Sequence, residues 1–487
     1  MGKKEELIKM VGTENVFDDP KIIEEYSKDE SFVHPIKPLC IVKPKNGNEV
    51  QKIVKWANET LTPLVPISSG PPHFRGDTIP SEGGSVIVDL TNMKRIIRID
   101  RPNRVAMIEP GVTFTEMIPM LQKEGLGVYL PLLPRRTKSV IGSMLEREPI
   151  TMPRHHWDPQ DPLLCIEVIF GTGDMFRTGS AAGIGSIEEQ WEVGKAQLRP
   201  MGPSQADLQR VVQGSQGTMG IVTWATMKCR LLPQIKKAFL VPCSKLEPLI
   251  DLSYRLLRIP IGDECLILNN HNLASIMAKN TEEIISLREA LPSWILFFSI
   301  EGYGILPEEK VRYQEEDFRT MAQQVGVDPM EICGTLRAED VAEVLSKPSE
   351  EPYWKFRFKG ASQDIFFITT LDRIPSFVKS MRDLVDSWRY PLADLGVYIQ
   401  PTVQGCNCHC EFNLSYNSNS VTDREKIRGL VNEASLEMAN MGGFFSRPYG
   451  GWADMAYRRD AETTSALRKV KGIFDPNNIM NPGKLCF

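Results

Sequence analysis

The chain has 487 residues, of which 42% are hydrophobic and 24% charged, the balance of an ordinary globular protein with two to four domains. Its net charge of -5, with Lys and Arg scattered along the chain, argues against a nucleic-acid-binding protein, because that class carries a basic patch or stripe. No apolar run is long enough to predict a membrane span, and the N-terminus lacks the apolar core of a signal peptide. We therefore expect a cytoplasmic protein with reduced cysteines.

The first half of the chain alternates short apolar runs with segments of helical spacing. We predict helices over 48–59 and 114–124, the second capped by Thr113 or Thr115. Strands are predicted over 39–42, 64–67, 85–90, 96–99, 106–108, 164–170 and 221–232.

After Pro233 the predicted helices become longer and more amphipathic. They cover 251–257, 281–290, 307–325 and 375–388, with strands over 294–300, 364–369 and 396–399 between them. A last helix through Val470 precedes a tail rich in Pro, Asn and Gly. The pattern favours an α+β fold in three parts: residues 1–233, a second α+β domain over 234–455, and residues 456–487, which return to the first domain.

Several segments have the composition of a phosphate-binding protein. The loop PISSGPPHFRG (66–76) is rich in Gly, Ser and Pro, whose small side chains let backbone N–H groups converge on a diphosphate. By itself this loop is equally compatible with a surface turn. The segments that follow it in order are MIEPGVT (107–113), SVIGS (139–143), GTGDMFRTG (171–179), DLQRVVQGSQGTMGIVT (207–223) and FDPNNIMNPGK (474–484).

This succession resembles the vanillyl-alcohol oxidase and para-cresol methylhydroxylase flavoprotein family, which also contains glycolate oxidase and D-lactate dehydrogenase subunits. The resemblance spans about residues 35–232 and 465–485. It implies an FAD-dependent dehydrogenase or oxidase. The implied fold has an FAD-binding domain of two α+β subdomains, an α+β cap domain over the flavin and a C-terminal return. Relatives often dimerise, so we also expect a homo-oligomer, with a homodimer as the simplest form.

The resemblance also implies which residues bind FAD. They are Pro66, Ile67, Ser68, Ser69, Gly70 and Gly76 around the pyrophosphate, Ser139, Ile141, Gly142, Ser143, Gly217, Gly220, Ile221 and Val222 along the flavin and ribityl chain, and Asn481 and Lys484 closing the site. Pro71 stands where relatives with covalent flavin have a histidine, and His73 lies two residues later. We therefore expect non-covalent FAD. Since proline lacks an N–H donor, the charge of Arg75 is expected to compensate.

Two branches of this family imply different substrates. In the para-alkylphenol branch, two tyrosines and an arginine stabilise a phenolate while the flavin accepts hydride from the benzylic carbon. Arg447 falls at the position of that arginine. The tyrosine positions hold Arg75 and Ser446, with Tyr449 as a candidate substitute, so the phenolate site is incomplete.

The D-2-hydroxy-acid branch is echoed in the second half of the chain. The segment Trp354–Arg357 resembles its Trp-x-x-Arg element, which implies that Arg357 pairs with a substrate carboxylate. The segment Asn407–His409 resembles its Asn-x-His element. Thr402 and Pro448 replace the other groups of that branch's metal site, so we expect no divalent metal there.

A cysteine cluster, Cys406, Cys408 and Cys410 around His409, also invites a metal hypothesis, because thiolate and imidazole bind zinc or iron. On a strand, however, the cysteines face one side and His409 the other. We favour buried cysteines with His409 facing the substrate, and a metal site is the alternative.

The predicted reaction transfers a hydride from a C–H of a small oxygenated substrate, para-alkylphenol-like or aromatic-alcohol-like, to flavin N5. His409, Tyr449 or His156 is expected to take the O–H proton, while arginines hold the anionic end. An external acceptor (a cytochrome, an iron–sulfur protein or an electron-transfer flavoprotein) receives the electrons. The alternatives are a D-2-hydroxy-acid dehydrogenase, or a flavin subunit that only relays electrons within a larger complex.

Overall fold

The computed structural model describes residues 2–155, 162–202, 207–259 and 261–487, and its first sheet is mainly parallel. Strands β2, β4 and β3 pair in parallel, and β1 adds antiparallel to β2. The apolar face of the connecting helix α3 covers this sheet, because its Val and Ile residues recur at helical spacing. The elements are α1 (Lys3–Val11), β1 (Val16–Phe17), α2 (Pro20–Tyr26), β2 (Cys40–Val42), α3 (Gly47–Thr60), β3 (Leu64–Ile67) and β4 (Val86–Asp89).

The second sheet is antiparallel, in the order β5-β6-β10-β8-β9. Its core includes helix α4, which begins with a capping box between Thr113 and Glu116; Thr113, rather than Thr115, is the cap. The elements are β5 (Ile96–Asp100), β6 (Val105–Ile108), α4 (Phe114–Lys123), β7 (Leu126–Gly127), α5 (Val140–Leu145), β8 (Leu163–Phe170), β9 (Met175–Arg177), α6 (Ile187–Glu192), α7 (Gln209–Val212), β10 (Gly220–Lys228) and β11 (Arg230–Leu231).

The third sheet has six antiparallel strands in the order β12-β14-β13-β18-β19-β17. Its elements are β12 (Ile235–Cys243), α8 (Glu247–Arg258), β13 (Cys265–Asn269), α9 (Asn270–Met277), α10 (Thr281–Ala290), β14 (Trp294–Gly302), α11 (Pro307–Gln324), β15 (Ile332–Cys333), β16 (Leu336–Arg337), α12 (Ala338–Leu345), β17 (Gly360–Thr369), α13 (Ile374–Ser387), β18 (Leu395–Thr402), β19 (Asn407–Asn417) and α14 (Val421–Asn440).

One face of this sheet packs on α8, α11, α13 and α14 in a large apolar core. The other face divides in two. Its β12–β13 half packs on α9 and α12, whereas its β17–β19 half carries polar side chains. These polar residues are buried, so the β17–β19 half is where a functional site is expected.

The C-terminal segment returns to the first sheet after α15 (Gly451–Tyr457) and α16 (Ala461–Phe474). The backbone N–H of Leu64 donates to the carbonyl of Ile479 over 2.7 Å, and that of Asn481 donates to the carbonyl of Leu64 over 2.8 Å. Ile479 and Met480 complete the core under this sheet. The predicted α+β class is confirmed; the exact domain boundaries stay a prediction.

Candidate active site

A large cavity lies between the loops of the first two sheets and the polar half of the third. Its empty volume, open mouth included, is about 1760 Å³. We call two regions of its lining the loop end and the sheet end. The loop end is Pro66–Ser69, Ile141, Gly142, Gly217 and Gly220–Val222, and the sheet end is Arg75, Tyr353, Lys355, Asp364, His409, Glu411, Arg447 and Tyr449.

The loop end is built from backbone and small side chains in close contact. The Ser69 hydroxyl oxygen accepts a 3.0 Å hydrogen bond from the Ser139 N–H, which joins the loop after β3 to the start of α5. A Cβ atom on Gly217 would lie 2.4 Å from Cγ of Pro66, and Gly217 has φ of +73°. Glycine is therefore required there both by space and by backbone conformation.

Two backbone donors at the loop end are available to a ligand. The N–H groups of Ser68 and Ser69 form no hydrogen bond within the described part of the chain. The N–H of Gly70, in contrast, donates to the Thr137 carbonyl, and its own carbonyl accepts from Arg135. The free donors at the mouth of the first sheet can accommodate an anionic group, as a diphosphate would require.

Six of the predicted cofactor residues lie behind the lining rather than in it: Gly70, Gly76, Ser139, Ser143, Asn481 and Lys484. They brace the residues that line the cavity. Lys484 donates to the Gly76 carbonyl over 2.8 Å, and the Asn481 amide donates to the carbonyls of Asp77 and Gln216. The side chains of Ser143, Asn481 and Lys484 are thus hydrogen-bonded within the protein, and contact of these six residues with FAD stays a prediction.

At the sheet end, alternation along β17 and β19 brings polar residues to one face. Asp364, His409 and Glu411 share this face with Asn413. Lys355, from the short 3-10 turn before β17, reaches across it. Its Nζ lies 2.6 Å from Oδ2 of Asp364 and 2.5 Å from Oε1 of Glu411. The Asn413 amide donates to both carboxylates.

His409 is 1% exposed and its Nε2 lies 3.2 Å from Oε2 of Glu411. Burial lowers the pKa of His409, and Glu411 opposes that shift without cancelling it. Burial also disfavours ionised Glu411, but Lys355 and His409 outweigh it and hold the pKa of Glu411 well below its usual range. The pair is therefore a neutral imidazole beside a carboxylate.

Two guanidinium groups flank one aromatic ring at this end. The Cζ atoms of Arg75 and Arg447 each lie 4.3 Å from the ring centroid of Phe366, within cation–π distance. Arg75 also pairs with Asp364 over 3.6 Å. Arg447 is 6% exposed and has no hydrogen bond or ion pair with any described residue. It is a buried cation available to an anionic ligand.

Two tyrosines complete the sheet end. The hydroxyls of Tyr353 and Tyr449 form no hydrogen bond within the described ranges. Burial raises the pKa of Tyr353 to about 12 and that of Tyr449 well above its usual range, the latter with help from Glu146 and Asp77. Both are protonated donors. Tyr353 was not predicted from the sequence, although it directly precedes the Trp354–Arg357 element.

Two further carboxylates, Glu148 and Asp77, line the cavity. Burial opposes ionisation of Glu148, but Lys138, Arg447 and a hydrogen bond from Ser143 lower its pKa to about 2. Asp77 differs, because burial and the nearby Glu146 and Asp29 raise its pKa to about 6. Glu148 is thus ionised far below neutral pH, whereas Asp77 keeps its proton until the pH approaches 6.

One predicted catalytic residue does not reach the cavity. Arg357 points away from it, and its guanidinium donates to the backbone carbonyls of Pro352, Ile276, Ala278 and Glu350. The 3-10 turn sends Lys355 to the cavity and Arg357 to the opposite side, so Arg357 is not brought together with the other predicted catalytic residues. His156 lies outside the described residues.

The cysteine cluster separates in the way that strand alternation requires. Cys408 and Cys410 face the apolar core of the third sheet, and burial raises the pKa of each thiol. Cys406 is exposed and precedes β19. Among the described residues, no group of three or more His, Cys, Asp and Glu side chains has the arrangement of a metal site.

Two family models match the chain. The FAD binding domain matches residues 38–179, and the C-terminal domain of FAD linked oxidases matches residues 330–485. The chain therefore contains the two domains of FAD linked oxidases. The predicted family resemblance, enzyme class and FAD cofactor are confirmed, and the two free donors and the glycine-packed loop end fit the cofactor.

Similar proteins fall on both predicted branches. The glycolate oxidase subunit GlcD of Bacillus subtilis (strain 168) is 25% identical over 496 residues, 99% of this chain and 96% of the relative. The 4-cresol dehydrogenase (hydroxylating) flavoprotein subunit of Pseudomonas putida is 31% identical over 192 residues, 38% of this chain and 36% of the relative.

The fold matches that of a solved oxidase structure. The structure of 4-ethylphenol oxidase from Gulosibacter chungangensis, an isoeugenol complex, has a TM-score of 0.84 at 18% identity and covers 99% of this chain and 95% of that one. This confirms the predicted FAD-binding domain with its cap. In the described portion of the chain, no helix is both long and apolar enough to cross a membrane.

Proposed function

We propose that this FAD-linked oxidoreductase dehydrogenates a small para-alkylphenol or aromatic alcohol whose acidic oxygen binds at the sheet end. The observation that carries the proposal is Arg447, a buried guanidinium without a partner among the described residues. The hydroxyls of Tyr449 and Tyr353, likewise unpartnered there, line the same cavity. A cation and two O–H donors suit a developing phenolate, which each of them stabilises more than the neutral phenol.

Aromatic side chains favour a ring-bearing substrate. The rings of Phe74 and Tyr353 lie 5.6 Å apart on the cavity wall. Such walls bury a planar ring and let polar groups fix its orientation. Aliphatic substrates gain less from these contacts.

FAD would lie along the loop end, with its diphosphate near Ser68 and Ser69 and its attachment non-covalent. Pro71 follows Gly70 and offers no nucleophile. His73 lines the cavity, but burial lowers its pKa to about 3. When bound, FAD supplies the hydride acceptor for the substrate C–H.

The protein's own contribution is orientation and proton transfer. Arg447 and Tyr449 would hold the oxygen, and His409, backed by Glu411, would accept the O–H proton. The substrate thus loses one hydride from carbon and one proton from oxygen. Both electrons then leave to an external acceptor such as a cytochrome, an iron–sulfur protein or an electron-transfer flavoprotein.

A second candidate is a D-2-hydroxy acid. It is favoured by the similarity to a glycolate oxidase subunit along 99% of the chain and by the neutral His409 beside Glu411. Arg447 would then bind the carboxylate, in place of Arg357. The two candidates use one cavity and differ in whether the bound anion is a phenolate or a carboxylate.

Anaerobic bleaching of the flavin absorbance distinguishes them. We expect 4-ethylphenol or 4-cresol to bleach the wild-type flavin and glycolate or D-lactate to leave it oxidised. In Arg447→Ala, FAD should stay bound while the bleaching rate falls roughly 100-fold or more, since a charge-assisted contact in a dry site contributes about 3 kcal/mol. Arg447→Lys is the control that keeps charge and should recover part of the rate.

Bleaching by hydroxy acids alone would replace the first candidate with the second. No bleaching by any organic donor, together with reduction by a co-purified redox subunit, would support an electron-relay role. Unchanged bleaching in Arg447→Ala would remove Arg447 from the site. Acid precipitation tests the attachment, because non-covalent FAD stays in the supernatant.

A further inference from the structure

Lys355 lies at the sheet end, but the proposed function gives it no contact with the substrate. Its ammonium group bridges Asp364 and Glu411, at 2.6 and 2.5 Å. Arg75 approaches Asp364 from the other side. Burial disfavours a charged lysine, but the two carboxylates outweigh it and raise the pKa of Lys355. Lys355 is therefore a permanent buried cation.

Lys355 determines which oxygen of Glu411 faces His409 and whether that oxygen accepts or donates a hydrogen bond. Oε1 of Glu411 accepts from Lys355 and Asn413, which leaves Oε2 facing Nε2 of His409. An ionised carboxylate only accepts hydrogen bonds. Nε2 of neutral His409 must therefore carry the hydrogen, and Nδ1 keeps its lone pair.

Nδ1 of His409 is therefore the ring nitrogen that can accept a proton. It is buried and has no hydrogen-bond partner among the described residues, although His409 lines the cavity. A protonated Glu411 would instead donate to Nε2, and the imidazole would then carry its hydrogen on Nδ1. In that tautomer His409 cannot accept a proton from a substrate at Nδ1.

We propose that Lys355 is a positioning residue that keeps Glu411 ionised and thereby fixes the His409 tautomer whose Nδ1 accepts the substrate proton. This rests on the proposed function, in which His409 takes that proton. The groups that face the His409–Glu411 pair from neighbouring elements are Lys355, Asp364, Tyr398, Arg75, Arg447, Tyr449 and Glu148. Among them Lys355 is the cation in direct contact with Glu411.

Opposite charge changes should shift the reaction in opposite directions. Lys355→Met removes a cation, so the pKa of the His409–Glu411 pair rises and the acid limb of the kcat/KM profile moves up by about one pH unit. Asp364→Asn removes an anion from the same network, so the limb moves down. Lys355→Arg should restore most of the wild-type profile.

The matched control is Lys359→Met. Lys359 also pairs with an aspartate, Asp394, over 2.7 Å, but does not line the cavity. We expect its pH profile to match that of the wild type. Imidazole 15N NMR of the FAD-free protein, which has six histidines, adds a readout independent of turnover: His409 should be protonated on Nε2 in the wild type and shift toward Nδ1 protonation in Lys355→Met.

The outcomes separate the two proposals. An inactive wild type with the expected His409 tautomer contradicts the proposed function and leaves the positioning role supported by NMR. An active wild type whose profile moves the same way in Lys355→Met and Asp364→Asn, or in neither, overturns the inference. If Lys355→Met does not fold, Asp364→Asn decides, because an unshifted or raised limb there is incompatible with an electrostatic role.

Discussion

The two ends of the cavity are built in different ways. The loop end consists of backbone, small side chains and glycines packed against Pro66 and Ser68. The sheet end consists of charged side chains from strands, loops and a 3-10 turn, most of them in ion pairs, while Arg447 has no ion pair with a described residue. We therefore expect cofactor binding to depend on how closely the backbone of the loop end can approach FAD. We expect substrate chemistry to depend on the balance of positive and negative side chains buried at the sheet end.

The largest effect should come from filling the loop end. Gly217→Ala combines a left-handed backbone, which costs roughly 1–2 kcal/mol, with a contact of 2.4 Å to Pro66 Cγ, which adds about 1–3 kcal/mol of overpacking. We expect the purified variant to lose most of its FAD and to unfold at a lower temperature. The ratio of flavin to protein absorbance and a thermal melt measure both.

Gly194→Ala is the control for this prediction. Gly194 has φ of +76°, and no described atom lies within 4 Å of the place that an added Cβ would take, so this variant isolates the backbone cost from the clash. Its FAD content should equal that of the wild type. Equal FAD loss in both variants would mean that close packing at the loop end is unimportant.

The next effect sharpens the contrast between two arginines. Arg357→Ala removes hydrogen bonds to five backbone carbonyls outside the cavity, so we expect a loss of about 2–4 kcal/mol of stability. The folded fraction should still bleach with substrate at the wild-type rate. Denaturant unfolding measures the stability, and anaerobic bleaching measures the reaction rate. A slower reaction in fully folded Arg357→Ala would mean that Arg357 contributes to substrate binding or catalysis.

Arg337→Ala offers a matched comparison. Its ion pair with Glu339 is exposed on both sides, and such pairs contribute about 0–1 kcal/mol. We expect nearly unchanged stability and rate, which separates the loss of any arginine from the loss of the Arg357 contacts.

The smallest effect is a pH dependence near the loop end. The pKa of Asp77 is raised to about 6 in the folded protein, by burial, Glu146 and Asp29. Folding therefore favours protonated Asp77, and its ionisation above pH 6 destabilises the fold, a penalty relieved as the pH falls toward 4. Asp77→Asn should raise stability at pH 8 by about 1–3 kcal/mol and have little effect at pH 4.5. Thermal melts of the FAD-free protein across this range check it, and exposed Asp383→Asn is the control.

Much of the fold could be predicted because local patterns and tertiary structure agree. Thr281–Ala290 forms the helix that its spacing predicts, and Thr113 caps α4 through a capping box. Strand β12 (Ile235–Cys243) was not predicted. Its early lysines have the charge of a surface segment, but Lys236 pairs with Glu264 and Lys237 with Glu315, partners that no local pattern reveals.

The site was predicted less well, because its charges come together only in three dimensions. His409 is at the cavity as expected, yet Glu411, two residues along the same face of β19, was missed. The period of two along a strand could have found it. Lys355 and Tyr353 were missed because the Trp354–Arg357 element was interpreted through its last residue, whereas a 3-10 turn separates the directions of Lys355 and Arg357.

The C-terminal return has a consequence for when the cavity can form. Lys484 donates to the carbonyl of Gly76 across 408 residues of chain, and Asn481 holds the carbonyl of Asp77 across 404. The loop end therefore reaches its final shape only after residues 481 and 484 have docked against the loop that carries Gly76 and Asp77. We expect FAD to bind stably only after this docking.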